Sequence, residues 1–222
     1  MIINDSFPKF DLPIDFIADD SITGDILNYY SNFPCKIKAG VFVLCTEGMV
    51  KATINLLEVV IRKNDFVIVL PNSFIQIHEV SSDTRISFAG FSSDFMLSGN
   101  YVEILLDSMP MILNSPVISL QDDIAGLYRN VYLLLIRAYT LPHSLENKDI
   151  IRSILAIFLQ GTKELYKRYG RKLDEPLRRE QELYRQFIQL LMAHYTSEHE
   201  VAFYAEKCGV TAAHFSLSLI HI

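Results

Sequence analysis

The sequence predicts an α+β protein in which a small β-barrel or jelly roll is followed by long helices and then by a short all-α segment. Between about residues 35 and 95, short apolar runs alternate with turn residues, a pattern typical of barrels and jelly rolls. From Tyr101 onward, the apolar residues recur at helical spacing. Near the C-terminus, residues 201–216 predict a helix, a tight turn and the start of a second helix.

Six strands are predicted inside the barrel region. They lie at residues 41–45, 50–56, 58–61, 66–70, 75–80 and 85–91. The second of these alternates, so that Val50, Ala52 and Ile54 share one face of a sheet. Residues 1–35 predict short strands or an arm leading inward.

Two long helices are predicted after the barrel, at residues 122–141 and 147–169. The first part of the second helix is apolar nearly all the way round, so it must be covered on two sides. A second copy of the chain is the simplest cover for one side, and full burial within one subunit is the alternative. Gly170 and Pro176 then mark a charged hinge and a domain boundary, before a further helix at 177–196.

The C-terminal stretch has the pattern of a helix-turn-helix, whose second helix enters the major groove of DNA. Gly209 stands where the turn needs a positive φ, Thr211 where the second helix needs an N-cap, and Phe215 where a side chain points back onto the first helix. An ordinary helical hairpin would share these features. The predicted core of the motif consists of Val201, Tyr204, Ala205, Cys208, Gly209 and Phe215.

The composition is that of an ordinary globular protein. The 222 residues, 50% of them hydrophobic and 21% charged, allow one large domain or two small ones. No apolar run is long enough to cross a membrane, and the N-terminus lacks the features of a signal peptide. Cys35, Cys45 and Cys208 are scattered and form no C-x-x-C pair. We therefore expect a cytoplasmic protein without a disulfide scaffold or a zinc site.

The net charge of −6 is concentrated in the N-terminal part of the chain. Residues 1–145 contain 9 Lys and Arg against 16 Asp and Glu, whereas residues 146–222 contain 11 against 10. The acidic part is therefore not the part predicted to meet phosphates. The balanced C-terminal part is also compatible with an ordinary solvated surface.

Residues 187–216 resemble the start of the DNA-binding domain of the AraC-type (AraC/XylS) bacterial transcription regulators. The matching sequence pattern is F..L...HY…V.FYAEK.GVT..H.S. Residues 63–71 (KNDFVIVLP) and 86–95 (ISFAGFSSDF) resemble, more weakly, the cupin-like sensor half of the same family. Asn64 departs from that pattern, in which glycine is commoner. The resemblance implies a cupin-like sensor and dimerisation domain at 1–170, with its barrel at about 35–95 and its helices at about 101–170, and a partial DNA-binding domain at 177–222.

The resemblance also implies roles for particular residues. The candidates for DNA contact are Ala212, Ala213, His214 and Ser216, which face outward by their spacing from Phe215, together with the capping residue Thr211. The candidates for lining a sensor pocket are Phe42, Phe74, Gln76, His78 and Phe88. The candidates for the dimer interface are Ile151, Ile154, Leu155 and Phe158. A solvated helix face is the alternative for the first set, and plain core is the alternative for the phenylalanines of the second.

The chain departs from the family pattern after Ser216. The family continues with a basic residue, a linking helix and a second helix-turn-helix, whereas this chain has L-S-L-I-H-I. These six residues are encoded by a transposon end that is used in preparing sequencing libraries. We therefore predict that residues 217–222 are not native. On this prediction, the regulator is truncated within its first helix-turn-helix. Such a chain is expected to bind DNA poorly, because few phosphate contacts remain. Codons at the 3′ end that differ from the transposon string would contradict this prediction.

Catalysis has little support in the sequence. A metal-dependent cupin enzyme needs several histidines and a carboxylate that converge. The barrel region offers His78 beside Glu79, and neighbours on a strand face opposite sides unless a bulge intervenes. We therefore expect no metal, no cofactor and no enzymatic activity.

Together these patterns predict a cytoplasmic, DNA-binding transcription regulator. Its expected partners are promoter DNA, a small-molecule effector that the sequence does not identify, and a second copy of the chain, with no membrane association. The alternatives are a stand-alone cupin-like binding module or enzyme with a helical association tail, and, if the tail is native, a protein-interaction module.

Overall fold

The computed structural model describes residues 9–10, 12–29, 31, 33–55, 57–97, 108–109, 111–140, 148–169, 179, 183, 186–187, 190, 194 and 197–220. The chain divides into two compact units, Met1–Gly170 (unit 1) and Arg171–Ile222 (unit 2). Each unit has a hydrophobic cluster of its own.

Unit 1 consists of strands followed by helices. Its elements are β1 (Lys9–Phe10), β2 (Phe16–Thr23), α1 (Gly24–Tyr29), β3 (Cys35–Ile37), β4 (Gly40–Glu47), β5 (Met49–Ile54), β6 (Leu57–Arg62), β7 (Asp65–Val69), β8 (Ser73–Val80), β9 (Arg85–Phe91), α2 (Ser93–Leu97), β10 (Val117–Ser119), α3 (Asp122–Thr140) and α4 (Lys148–Tyr169). The predicted α+β class, with sheets first and helices after them, is confirmed.

The strands form two five-stranded sheets. Sheet A has the order β1-β3-β8-β5-β6, and sheet B has the order β10-β7-β4-β9-β2. Neighbouring strands are antiparallel, except that β1 pairs with β3 in parallel. The two sheets pack face to face through an aliphatic cluster to which both contribute, including Val50, Ala52 and Ile54 from sheet A and Val67 and Ile86 from sheet B. The predicted alternation of β5 therefore places its apolar side on the inner face.

Sheet B is covered on both of its faces. Its other face carries Phe42 and Phe66 and packs against helices α3 and α4 in a second, larger hydrophobic cluster. Phe158 of α4 lies at the middle of this cluster, and its ring centroid is 5.2 Å from that of Phe42 and 5.1 Å from that of Tyr132. The buried side of α4 is thus the cover of a sheet within the same chain.

Sheet B extends beyond the predicted barrel at both ends. Strand β2 lies within the predicted arm and pairs with β9, although Asp19 and Asp20 interrupt its apolar pattern and its register shifts between Asp19 and Ile22. Strand β10 lies within the region predicted to be helical and forms the edge of the sheet beside β7. Both strands are short or irregular in pattern, so the pattern of residues alone did not reveal them.

Unit 2 contains the helices α5 (Val201–Lys207) and α6 (Ala212–Ile220). Within the further helix predicted at 177–196, the described positions 179, 183, 186–187, 190 and 194 are helical, and the remaining positions lie outside the described residues. Most of the predicted hinge, together with Leu56, Leu141, Asn147 and residues 221–222, also lies outside them. None of the described helices combines the length and the apolar character needed to span a bilayer.

Candidate functional site

The turn between α5 and α6 depends on a glycine in the left-handed region. Gly209 has a φ of 69°, as predicted. Its amide donates to the carbonyl of Glu206 at 2.9 Å, and the amide of Val210 donates to the carbonyl of Ala205 at 3.0 Å. These bonds satisfy carbonyls that the end of α5 would otherwise leave free. The chain is thereby redirected into the second helix within four residues.

Thr211 caps the N-terminus of α6, which confirms its predicted position. Its hydroxyl oxygen accepts a hydrogen bond from the amide of His214 at 3.3 Å, and its carbonyl accepts one from the amide of Phe215 at 2.8 Å. An N-cap of this kind satisfies amides of the first turn that have no partner within the helix. Thr211 therefore fixes where α6 begins.

The two helices are joined by a small aromatic core. Tyr204, Ala205 and Phe215 are buried, and the ring of Phe187 meets those of Tyr204 and Phe215 edge-on at 5.7 and 5.1 Å. The hydroxyl of Tyr204 donates to the carbonyl of Glu198 at 2.7 Å, so this buried polar group is paired. The core holds three helical segments in a fixed mutual arrangement.

One of the residues predicted for this core lies apart from it, and another lies at its edge. Val201 is half exposed at the first position of α5. Cys208 follows the last residue of α5, is partly buried and packs against the core, as predicted. The short length of α5 leaves the two residues at its two ends.

The predicted DNA-contact residues form one exposed surface. Thr211, Ala212, Ala213, His214 and Ser216 are all exposed along the first two turns of α6. Their small side chains let another molecule approach the helix closely, and the imidazole of His214 can donate or accept a hydrogen bond. One ring nitrogen of His214, Nδ1, lies 3.4 Å from the hydroxyl of Ser218, which limits the orientation of the ring.

Helix α6 itself carries no charged side chain between Ala212 and Ile220. The nearest cation along the chain is Lys207 at the end of α5, whose ammonium lies 5.7 Å from the ring centroid of Phe203. Sequence reasoning did not single out Lys207 as a site residue. The signal was available, because it is the one basic residue between 201 and 216.

The five predicted pocket residues do not share a surface, which corrects that prediction. Phe42 is fully buried on the helix side of sheet B. Phe88 is on the opposite, inner side, because it pairs with Val43 of the aliphatic cluster. Phe74 is exposed, with the ammonium of Lys36 5.5 Å from its ring centroid.

Gln76 and His78 lie on the outer face of sheet A. Gln76 pairs with Thr53, and the Nε2 atom of His78 is 2.7 Å from the Thr53 hydroxyl. A register shift in β5 and β8 lets Glu79 reach Lys51 on the same exposed face, where they form an ion pair. The bulge that would let His78 and Glu79 point the same way is therefore present, but it directs them away from the interior of the sandwich.

The residues predicted for the dimer interface are buried inside unit 1, which corrects that prediction as well. Ile151, Ile154, Leu155 and Phe158 are each at most 3% exposed and belong to the cluster between sheet B and the helices. The exposed apolar residues of the two helices are different ones. They are Leu127, Leu133, Leu134, Ile150 and Ile157.

Burial raises the pKa of several groups in unit 1. It raises the pKa of Cys45 to about 11, and the nearby Asp65 carboxylate adds to the shift. It also raises the pKa values of Tyr128, Tyr132 and Tyr166 well above that of an exposed tyrosine. Within the described residues, no three His, Cys, Asp or Glu side chains come together as a metal site.

No family model matches the chain, and no curated protein matches it. Among solved structures it is similar to ToxT from Vibrio cholerae, with 12% identity, 93% of this chain and 75% of that chain covered, and a TM-score of 0.41. It is similar to the AraC-like transcriptional activator CuxR, with 10% identity, 80% and 59% covered, and a TM-score of 0.44. It is also similar to the EutQ protein of Clostridium difficile, with 14% identity, 36% and 69% covered, and a TM-score of 0.27.

ToxT and CuxR are AraC-family regulators.

Proposed function

We propose that this chain is a DNA-binding transcription regulator of the AraC type. Its sensor and dimerisation half is residues 1–170, and its DNA-binding half is residues 177–222. The observation that supports this proposal is the exposed face of α6, mounted on a buried aromatic core and reached through a positive-φ glycine turn. A helix that enters a groove needs such a fixed mounting, because its side chains must meet base edges in a fixed orientation.

The residues of α6 divide into two roles on this proposal. Ala212 and Ala213 allow the helix axis to come close to the bases, and His214 and Ser216 offer hydrogen-bonding groups to base edges or phosphates. Because α6 has no charged side chain, phosphate attraction has to come from elsewhere, and Lys207 is one candidate. Binding by this chain is expected to be weak, with a small salt dependence.

The direct test is selection of DNA from a random pool by the 222-residue chain at low salt, followed by fluorescence anisotropy on the selected sequence. We expect an enriched sequence that binds with a Kd in the micromolar range, roughly the level of non-specific protein–DNA contacts. His214→Ala should weaken binding by about fivefold to a hundredfold, the effect of losing one base contact worth about 1–3 kcal/mol.

The matched control is His199→Ala, which removes an exposed histidine of the same unit that lies before α5. This change should leave the affinity unaltered. A pool that shows no enrichment, or equal losses from the two histidine changes, would refute the proposed role of α6.

A further inference from the structure

Sheet A ends at a strand that has a neighbour on one side. Strand β6 pairs with β5 from Leu57 to Arg62, and no other described strand pairs with it. The other edge strands are shorter or irregular, since β1 has 2 residues, β10 has 3, and a register shift interrupts β2. A regular apolar edge of this kind is a template for a further strand, and proteins usually shorten, charge or distort such edges.

Alternate residues of β6 direct their backbone hydrogen-bonding groups away from β5. The amide of Arg62 donates to the carboxylate of Asp65 at 2.7 Å, so it does not point toward β5. Residues two apart along a strand point their backbone groups to the same side. The free edge therefore offers the N–H and C=O groups of Glu58 and Val60, together with the C=O of Arg62.

The exposed side chains of β6 form a symmetric pattern with opposite charges at its two ends. Glu58, Val60 and Arg62 are exposed on the outer face of sheet A, and Val60 is 37% exposed. The alternate residues Val59 and Ile61 belong to the aliphatic cluster between the sheets. Within the described part of the chain, neither charged side chain has an ion-pair partner.

Two antiparallel β6 strands from different chains fit together in one register. When Val60 of one chain faces Val60 of the other, each Glu58 lies opposite an Arg62. Val59 then lies opposite Ile61, so that both faces of the joined sheets match. A shift by one residue would bring outer side chains opposite inner ones, and a shift by two would separate the charges.

We propose that β6 binds the β6 strand of a second copy of this chain, antiparallel and with Val60 at the two-fold axis. The backbone groups of the two Val60 residues bond to each other, and each Glu58 amide donates to the Arg62 carbonyl opposite it. The two copies of sheet A then form one continuous sheet. The contact is small and therefore weak, so it forms at high chain concentration.

Charge complementarity is the reason that the partner is a second copy. The pair Glu58 and Arg62 attracts its own copy, because the two-fold axis between them brings opposite charges together. Asp19 and Asp20 on the edge strand β2 have the same sign and would repel their own copies. The two edges thus carry charges of opposite effect, one that permits self-pairing and one that prevents it.

A test must report on β6 itself, because association through helices α3 and α4 would also give dimers. Val60→Cys provides this report, since facing residues of a hydrogen-bonded antiparallel pair have Cα atoms about 5.5 Å apart, within the range of a disulfide. Mild oxidation of the 222-residue chain should give linked dimers. Peptide mapping should show that position 60 of one chain is joined to position 60 of the other, and not to the native cysteines.

Lys51→Cys is the matched control. Lys51 is exposed on the same face and is the neighbour of Val60 on β5. In the proposed dimer, three strand spacings separate the two copies of position 51, about 14 Å, which a disulfide cannot span. Absence of the link at position 60, or equal linking at position 51, would overturn the proposal.

Charge reversals test the register. Glu58→Arg and Arg62→Glu, each combined with Val60→Cys, should reduce linking by about tenfold, because like charges then meet at two symmetric places. An equimolar mixture of the two variants should restore linking, since each positive edge meets a negative one. Linking that the single reversals leave unchanged, or that the mixture does not restore, would contradict the register.

The inference does not depend on the DNA-binding role proposed for unit 2. None of these measurements uses DNA, so failure to select a DNA sequence would leave them valid. Failure to link the chains at position 60 would likewise leave the DNA experiment valid.

Discussion

Gly209 is required by backbone conformation and not by lack of space. Its φ is 69°, and a Cβ built on it would meet nothing within 4 Å. Gly126, inside α3, also has open space around it but has no positive φ. Because both positions have room for a side chain, comparing them isolates the effect of backbone conformation.

Substitution by alanine should change stability in opposite directions at these two positions. Gly209→Ala is expected to lower the free energy of unfolding of unit 2 by about 1–2 kcal/mol, because a side chain disfavours the left-handed region. Gly126→Ala should raise that of unit 1 by about 0.5–1 kcal/mol, because alanine is the better helix former. Urea unfolding measures both, and a loss of stability at Gly126 would contradict the distinction.

Cys45 is the least reactive of the three cysteines that the structure describes. It is fully buried, and its pKa of about 11 compares with an ordinary value of 9.0. Its thiolate fraction near pH 8 is therefore about a hundredfold below that of an ordinary thiol. Alkylation of the native chain should label Cys35 and Cys208 first, with Cys45 labelled only at the rate of unfolding.

The same shift makes unit 1 sensitive to alkaline pH. Because the folded pKa of Cys45 is raised, its contribution to stability is complete below pH 9 and is lost as the pH rises from about 9 to about 11. The raised pKa values of Tyr128, Tyr132 and Tyr166 act in the same direction above pH 10. Thermal unfolding across pH 8–11 should show falling stability, with a shallower fall in Cys45→Ala. An unchanged slope in that variant would show that the thiol does not contribute.

Local chemistry explains which residues were predictable from the sequence. The roles of Gly209 and Thr211 depend on a turn and a cap, which involve only a few neighbouring residues, and the structure confirms both. The positions of Phe42 and His78 depend on which face of a sheet is covered and by what. Alternation along a strand separates two faces but does not say which face meets a helix, so the predicted pocket could not be derived from it.

At the scale of elements, Asp65 connects three parts of unit 1. One carboxylate oxygen accepts from the amide of Arg62 at 2.7 Å, and the other accepts from the hydroxyl of Ser119 in β10 at 2.6 Å. The preceding residue, Asn64, donates to the carboxylate of Asp122 at the start of α3 at 2.5 Å. The turn before β7 therefore fixes both the edge strand of sheet B and the first turn of α3.

Asp65→Asn is expected to lower the free energy of unfolding of unit 1 by about 1.5–3 kcal/mol, because an amide cannot accept both hydrogen bonds. It should also lower the pKa of Cys45, since the Asp65 charge is one cause of its elevation. Asp83→Asn, in an exposed turn, is the control and should change stability by less than about 0.5 kcal/mol. Urea unfolding measures both variants, and equal losses would contradict the stabilising role of the Asp65 hydrogen bonds.

The spacing of apolar residues predicts where the helices lie but not what their apolar sides contact. The spacing of apolar residues predicted helices that correspond to α3 and α4, but it could not assign the two apolar sides of α4 to their partners. The side with Ile151 and Phe158 covers sheet B, and Ile150 and Ile157 remain exposed. Which side is inner depends on long-range packing, which no local pattern encodes.

At the scale of the whole molecule, α3 carries an apolar line that nothing within the described part of unit 1 covers. Leu127 and Leu134 are 58% and 48% exposed. They are seven residues apart, two turns of a helix, which is the spacing of paired helices in a two-fold seam. We predict that a second copy of the chain covers this line, in place of the buried side of α4.

Sedimentation velocity should show a monomer–dimer equilibrium that depends on this line. Leu127→Gln/Leu134→Gln is expected to raise the dimer Kd by about a hundredfold or more, because each buried leucine contributes about 1.5–3 kcal/mol. Leu133→Gln is the matched control, since Leu133 is also exposed but lies off the line. A monomeric wild-type chain, or an equal effect from the control, would contradict the prediction.

Strand β2 has a consequence for the chain while it is being made. It is the first long strand, but its partner β9 follows only after six further strands. At ordinary rates of translation, on the order of ten seconds separate the emergence of the two strands from the ribosome. During that interval Ile17, Ala18 and Ile22 are unpaired and available to other nascent chains. Asp19 and Asp20 interrupt the apolar pattern of the strand, and their negative charges oppose such aggregation.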